Sequence, residues 1–332
     1  MDPVLVEVTR GARVESVHRG AAIVLDAVGG TVFAVGNVDQ PVYPRSAVKA
    51  LLALPMVETG AADRLGLTDA EIAFACSSHN GEDFHVAAAV SMLAKAGRDV
   101  SVLECGTHWP GYDKATQALA ASGGKPSALH NNCSGKHSGF ICLACDRGDD
   151  PAGYVKPDHP TMRVITAALA DMTSERLDDS NIAVDGCSIP TFAIPLRALA
   201  LAFARFGSGQ GLSAERAAAT RRIRAAVAAH PEMVAGTGRF DTKLMAALGV
   251  RVFVKSGAEG VFCGAIPELG LGIAVKCDDG AGRAAQIATA ALVARFLPQN
   301  GDLSILEELS RPTLTNWNGI QVGEMRPTAA LG

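Results

Sequence analysis

The chain has 332 residues, of which 48% are hydrophobic and 19% charged, enough to bury the core of one large domain or two packed ones. Its mean hydropathy of +0.19 excludes an intrinsically disordered chain, which needs few apolar residues and a high net charge. A formal net charge of −4 gives no electrostatic reason to expect a nucleic-acid partner.

The first twenty residues carry Glu7, Arg10, Arg13, Glu15 and Arg19 without an apolar run, so they do not read as a secretory signal. No apolar stretch approaches the ~18 residues of a membrane span. Eight cysteines without an export signal read as reduced thiols, and the expected compartment is the cytoplasm.

Residues 21–36 predict a hairpin turning at Gly29-Gly30. Pro41 and Pro44 precede a helix over 45–54. Residues 71–75 form a short apolar run, read as a strand leading into the loop Cys76-Ser77-Ser78-His79-Asn80-Gly81. Helices are expected over 83–96, with Gly97 as stop signal, and over 113–121. Residues 131–136 read as a polar loop and the helix after them as starting at Ser138. A helix over 159–171, a short strand at 182–184 and helices over 195–206 and 214–229 follow. Arg221, Arg222 and Arg224 read as the solvated face of the last helix. Three β-rich runs, 251–255, 260–266 and 272–276, are joined by short Gly-containing turns and predict an antiparallel meander before a helix over 284–296. The expected fold class is α+β: one antiparallel sheet flanked by helices in a single catalytic domain spanning 1–332. Its helical middle, about 45–230, is inserted between the hairpin 21–36 and the strands 251–276.

Three short patterns carry chemistry. Ser46-Ala47-Val48-Lys49 sets two side chains on one helix face, roughly 5–6 Å apart at Cβ. A serine hydroxyl becomes a good nucleophile when a neighbour takes its proton, and lysine does so only when neutral. Ser78-His79-Asn80 lies in a loop, and Lys255-Ser256-Gly257 ends a strand. Their order, Ser-x-x-Lys, Ser-x-Asn, Lys-Ser-Gly, is that of serine β-lactamases and penicillin-binding proteins. A second pair, Ser78 with Lys255, would relay a proton to a leaving amine. The spacing departs from those enzymes, with Ser78 only 32 residues after Ser46, and their acylation-supporting glutamate has no counterpart. Both points argue for a different substrate.

Cys133, His137 and Cys187 sit in the polar stretches Asn131-Asn132-Cys133-Ser134-Gly135-Lys136-His137 and Asp185-Gly186-Cys187-Ser188-Ile189-Pro190. Thiolate and imidazole suit zinc, yet two cysteines and one histidine fall short of a structural four-ligand set. Spacing leaves buried thiols and a metal site both open. Cys76, Cys142, Cys145, Cys263 and Cys277 lie in or beside apolar runs and read as core. Cys105, His108 and Trp109 read as a packed turn.

The stretches Tyr43-Pro44-Arg45-Ser46-Ala47-Val48-Lys49, Ser77-Ser78-His79-Asn80-Gly81-Glu82, Asn131 through Phe140 and Asp185 through Pro190 resemble the rhizobial-type asparaginase II family, the class 3 L-asparaginases. The resemblance runs from about Gly11 to Leu297. It implies a serine β-lactamase-like fold, a homodimer, and hydrolysis of L-asparagine to L-aspartate and ammonia. It implies Ser46 as nucleophile, Lys49 as its base, and Ser78 with Lys255 as a second Ser–Lys tandem. It further implies zinc on Cys133, Lys136 and Cys187, and substrate ordering by Arg45, Asp185 and His137. Two rivals stay open on sequence: a penicillin-interacting hydrolase or peptidase of the same architecture, and a non-catalytic zinc-binding relative.

Overall fold

The computed structural model describes residues 1–332, and the chain separates into two compact units. The first comprises Met1–Ala47, Ala193–Gly211 and Ala247–Gly332; the second comprises Val48–Phe192 and Leu212–Ala246.

The first unit is built on an eight-stranded antiparallel sheet of β1 (Val4–Arg10), β2 (Arg13–Asp26), β3 (Thr31–Val35), β4 (Phe253–Ser256), β5 (Val261–Ile266), β6 (Leu271–Cys277), β7 (Thr313–Thr315) and β8 (Gln321–Pro327). The order is β7-β8-β1-β2-β6-β5-β4, with β3 also pairing with β2. The expected hairpin and meander are both present, and β2 joins the N-terminal strands to the C-terminal ones, Ala22 opposite Val275. β5 and most of β6 are buried residue after residue, which is why they read as continuous apolar runs. Gly272 of β6 has no room for a side chain: a Cβ there would lie 2.0 Å from Ala200 O, in the helix Leu196–Ser208 packed on the sheet. The helix Gly282–Phe296 packs on β1, β5, β6 and β8 through its alanines and Ile287, Leu292 and Val293.

The strands β1, β7 and β8 were not anticipated. β7 and β8 are short and polar, lying toward one edge of the sheet, and give no apolar signal.

The second unit is helical. At its centre lies the helix Ser134–Arg147, buried from Ser134 through Ala144. It packs against Leu54–Glu58, Ala61–Arg64, Asp69–Ala75, Asp83–Lys95 and Pro160–Thr173. Gly135 permits this: a Cβ there would sit 2.2 Å from Phe74 O and 2.5 Å from Ser77 Oγ. The half-buried Arg216 ties Ala214–Ala229 to Glu58, at 2.8 Å, and to Asp171.

Two sequence readings are corrected here. Residues 71–75 belong to a helix, Asp69–Ala75, because Thr68 and Glu71 close a reciprocal capping box at its start. The helix expected from Ser138 begins one turn earlier, directly after Cys133, so Lys136 and His137 are helical. No helix is long and apolar enough to cross a membrane.

Candidate active site

Lys49 opens the helix Lys49–Leu52 of the second unit and is 1% exposed. Its Nζ donates to Ser77 O at 2.5 Å, Ser78 Oγ at 2.8 Å and Cys133 Sγ at 3.1 Å. Burial pushes the amine below its ordinary range; Cys133 opposes this and the Lys136 charge adds to it.

The partners of Lys49 are held by backbone. Ser78 follows the helix Asp69–Ala75, and its N–H donates to Val234 O at 2.8 Å. Cys133 N–H donates to Asn131 Oδ1 at 2.9 Å, while Asn131 Nδ2 donates to the carbonyls of Cys105 and Gly106. His79 clamps the same loops together: its Nδ1 accepts from Gly81 N–H, so Nε2 carries the proton toward Ser134 Oγ at 2.9 Å.

Cys133 leads to a second cluster. The hairpin of Ile182–Val184 with Pro190–Phe192 turns through Asp185 and Cys187, with Ser188 N–H on Asp185 O at 2.9 Å. Lys136 Nζ donates to Cys187 Sγ at 2.9 Å, and Cys187 Sγ lies 3.6 Å from Asp185 Oδ2. The nearby Cys187 thiol, then the Lys49 and Lys136 charges acting against burial, holds Cys133 well below the ordinary thiol range, and Cys133 with burial leaves Cys187 raised. Burial lowers the Lys136 amine, but the two sulfurs outweigh it and its pKa is raised.

No three side chains among His, Cys, Asp and Glu are arranged to hold a metal. The available set is two sulfurs and an amine, Cys133, Cys187 and Lys136, exposed by 5%, 3% and 1%. Their convergence and donor chemistry fit zinc, which takes sulfur and nitrogen ligands, provided Lys136 sheds a proton. His137 stands apart from this set: its Nδ1 meets Tyr154 OH at 2.6 Å. Burial, then the Lys136 and Lys49 charges, holds its imidazole well below the usual range.

In the first unit, Gly257 follows the strand β4 directly and lies against the turn carrying Arg45 and Ser46. A Cβ on Gly257 would lie 2.6 Å from Pro44 O and 3.3 Å from Ala47 Cβ. Lys255 is fully buried, with Nζ donating to Ser256 O at 2.8 Å. Ser46 is half-buried in the 3-10 turn Arg45–Val48.

Backbone strain marks the same stretches. Of four non-glycine residues with positive φ, Arg45 (51°), Ser188 (76°) and Glu259 (55°) lie within four residues of Ser46, Cys187 and Lys255. Such conformations cost about 1–3 kcal/mol each and concentrate where function fixes geometry.

The sequence pattern of the L-asparaginase II family matches residues 6–327. The chain belongs to that family. Membership makes it a hydrolase acting on amides, with a small-molecule substrate. Among solved structures, a β-lactamase from Mycobacterium bovis is similar at 14% identity and a TM-score of 0.41, covering 84% of this chain and 95% of that one. A chain described as Mglu is similar at 15% identity and a TM-score of 0.40, covering 86% of this chain and 69% of that one. No curated protein matches the sequence.

Within the L-asparaginase II chain, the second unit gathers Lys49, Ser78 and Cys133 into one set of contacts and Lys136, Cys187 and Asp185 into another. The Ser78 hydroxyl accepts from Lys49. Asn131 and His79 were quoted in motifs without a role. Tyr154 was not singled out, and nothing in its surroundings marks it.

Proposed function

We propose that this L-asparaginase II family member hydrolyses L-asparagine to L-aspartate and ammonia through a serine acyl-enzyme, acting as a homodimer. The observation that carries the reading is the family match over residues 6–327. The buried Lys49–Ser78 contact supports the chemistry.

In the proposed first step, Lys49 takes the Ser46 proton and Ser46 Oγ attacks the side-chain carbonyl carbon. The tetrahedral intermediate collapses, the C–N bond breaks, and the nitrogen leaves as ammonia with a proton from the tandem of Ser78 and Lys255. Water then attacks the acyl ester, its proton passes to the same bases, and Ser46 is restored.

The contacts of Lys49 are compatible with its role. A neutral amine has two N–H groups and one lone pair. Ser77 O can only accept and takes one N–H, Cys133 Sγ takes the other, and the Ser78 hydroxyl can donate or accept. Lys49 and Ser78 can therefore exchange a proton without either losing its partner. Arg45 suits a substrate α-carboxylate, by a bidentate clamp, and Asp185 an α-ammonium. Zinc on Cys133, Lys136 and Cys187 would supply a fixed positive charge; the residues above do the acid–base work.

Ammonia release from asparagine and glutamine, beside the colour change of a chromogenic cephalosporin, with and without chelator, tests the reading. Asparagine is expected to be hydrolysed and the cephalosporin left intact. Cephalosporin cleavage without ammonia from asparagine would replace it with a penicillin-interacting hydrolase. Stoichiometric zinc without hydrolysis of any amide would replace it with a non-catalytic metal-binding protein.

A further inference from the structure

Four histidines are buried, and three have both ring nitrogens engaged. His18 meets Asp279 and Arg283, His79 meets Gly81 N and Ser134, and His85 meets Glu82 N and Glu232 O. His137 is the exception. It is fully buried, its Nδ1 lies 2.6 Å from Tyr154 OH, and its Nε2 has no partner.

Tyr154 decides where the His137 proton sits. It is fully buried, and its hydroxyl oxygen accepts from Glu104 N–H at 3.0 Å. The Glu104 carboxylate in turn accepts from Gly153 N–H at 2.7 Å, which fixes the loop around Tyr154. With one lone pair committed to Glu104, the single phenolic hydrogen has only His137 Nδ1 to bond. A hydrogen on Nδ1 would leave the phenolic one buried without an acceptor. Nδ1 is therefore the acceptor and the ring proton is on Nε2. Buried polar atoms are normally satisfied, so an unpaired buried N–H is a place for a polar atom of a ligand or water.

We infer that Tyr154 is a positioning residue that locks His137 as its Nε2–H tautomer, reserving that N–H as a buried donor for an acceptor oxygen of the amide substrate. The substrate half of this inference rests on the asparaginase reading above; the tautomer half does not.

Nitrogen-15 NMR of histidine-labelled full-length protein, with the His137 signals assigned through His137→Gln, reads the tautomer directly. The wild type is expected to show Nε2–H, and Tyr154→Phe to shift those signals toward a tautomer mixture. An Nδ1–H tautomer or an imidazolium in the wild type at neutral pH would overturn the assignment, whether or not asparagine is a substrate. In kinetics, Tyr154→Phe should lower kcat/KM for asparagine about tenfold, the worth of one hydrogen bond. Because Tyr154 acts through His137, adding Tyr154→Phe to His137→Gln should cost nothing further. Independent, multiplying losses would show that Tyr154 matters only for packing. A wild type that releases no ammonia from asparagine would count against the asparaginase reading and leave the NMR result standing.

Discussion

An amine removed from water keeps its protonation only as far as its neighbours allow. Lys49 is surrounded by a carbonyl, a hydroxyl and a thiol, and its amine links Ser78 to Cys133. Replacing it with the similarly shaped but inert Met removes the proposed base and leaves a packable side chain. Lys49→Met is expected to lower turnover of asparagine by about 10³-fold or more, in the range of general-base losses and above, with a cooperative melt retained. Ammonia release beside circular dichroism checks both halves.

His85 makes a different statement at the same scale. Burial holds its pKa down, from 6.5 to about 4. The folded state therefore resists a proton that the unfolded chain accepts below about pH 6.5. Stability is lost as pH falls through the window from 6.5 to about 4. Between pH 7 and pH 5 this residue should account for about 2 kcal/mol. Urea unfolding at the two pH values, wild type against His85→Gln, measures it; a variant with undiminished pH dependence contradicts it.

At the scale of elements, legibility in the sequence followed burial and length. Long helices such as Ala214–Ala229, and the buried strands β5 and β6, stood out because periodicity or continuous apolarity extends far enough to read. The segment 71–75 did not. Its four apolar residues, Ile72, Ala73, Phe74 and Ala75, fit a buried strand and a buried helix alike, and the deciding signal was the Thr68-x-x-Glu71 capping box just before them. The polar strands β7 and β8 are held by ladder hydrogen bonds, which leave no hydrophobic pattern.

Close packing of elements is where glycine is irreplaceable. Gly272 lies against the backbone of Leu196–Ser208, with both Ala200 O and Ala204 N inside 2.5 Å of where a Cβ would be. Neither backbone atom can swing away, so Gly272→Ala must push helix and strand apart. A loss of about 3 kcal/mol is expected, at the upper end of overpacking costs. A thermal melt unchanged from wild type would show that the helix slides freely on the sheet.

Over the whole molecule, the motif residues were legible and many of their partners were not. Spacing of three related Ser46 to Lys49, but the Lys49–Ser78 contact joins residues 29 apart and the Lys136–Cys187 contact residues 51 apart. Such contacts depend on helix packing that local patterns do not encode. Lys136 entered the ligand set only through family resemblance, since spacing had pointed to His137; the structure puts Lys136 on Cys187 and His137 on Tyr154. Tyr154 was invisible because a lone tyrosine beside a glycine carries no motif.

The proposed reaction runs through a serine that forms an acyl-enzyme with the side chain of asparagine. Ammonia release by Ser46→Ala against wild type, at equal protein and with matched melting curves, tests this most directly. The expected outcome is a fall of several orders of magnitude, roughly 10⁴-fold, without loss of folding. Ammonia release within a few-fold of wild type would contradict the nucleophile and the acyl-enzyme route with it.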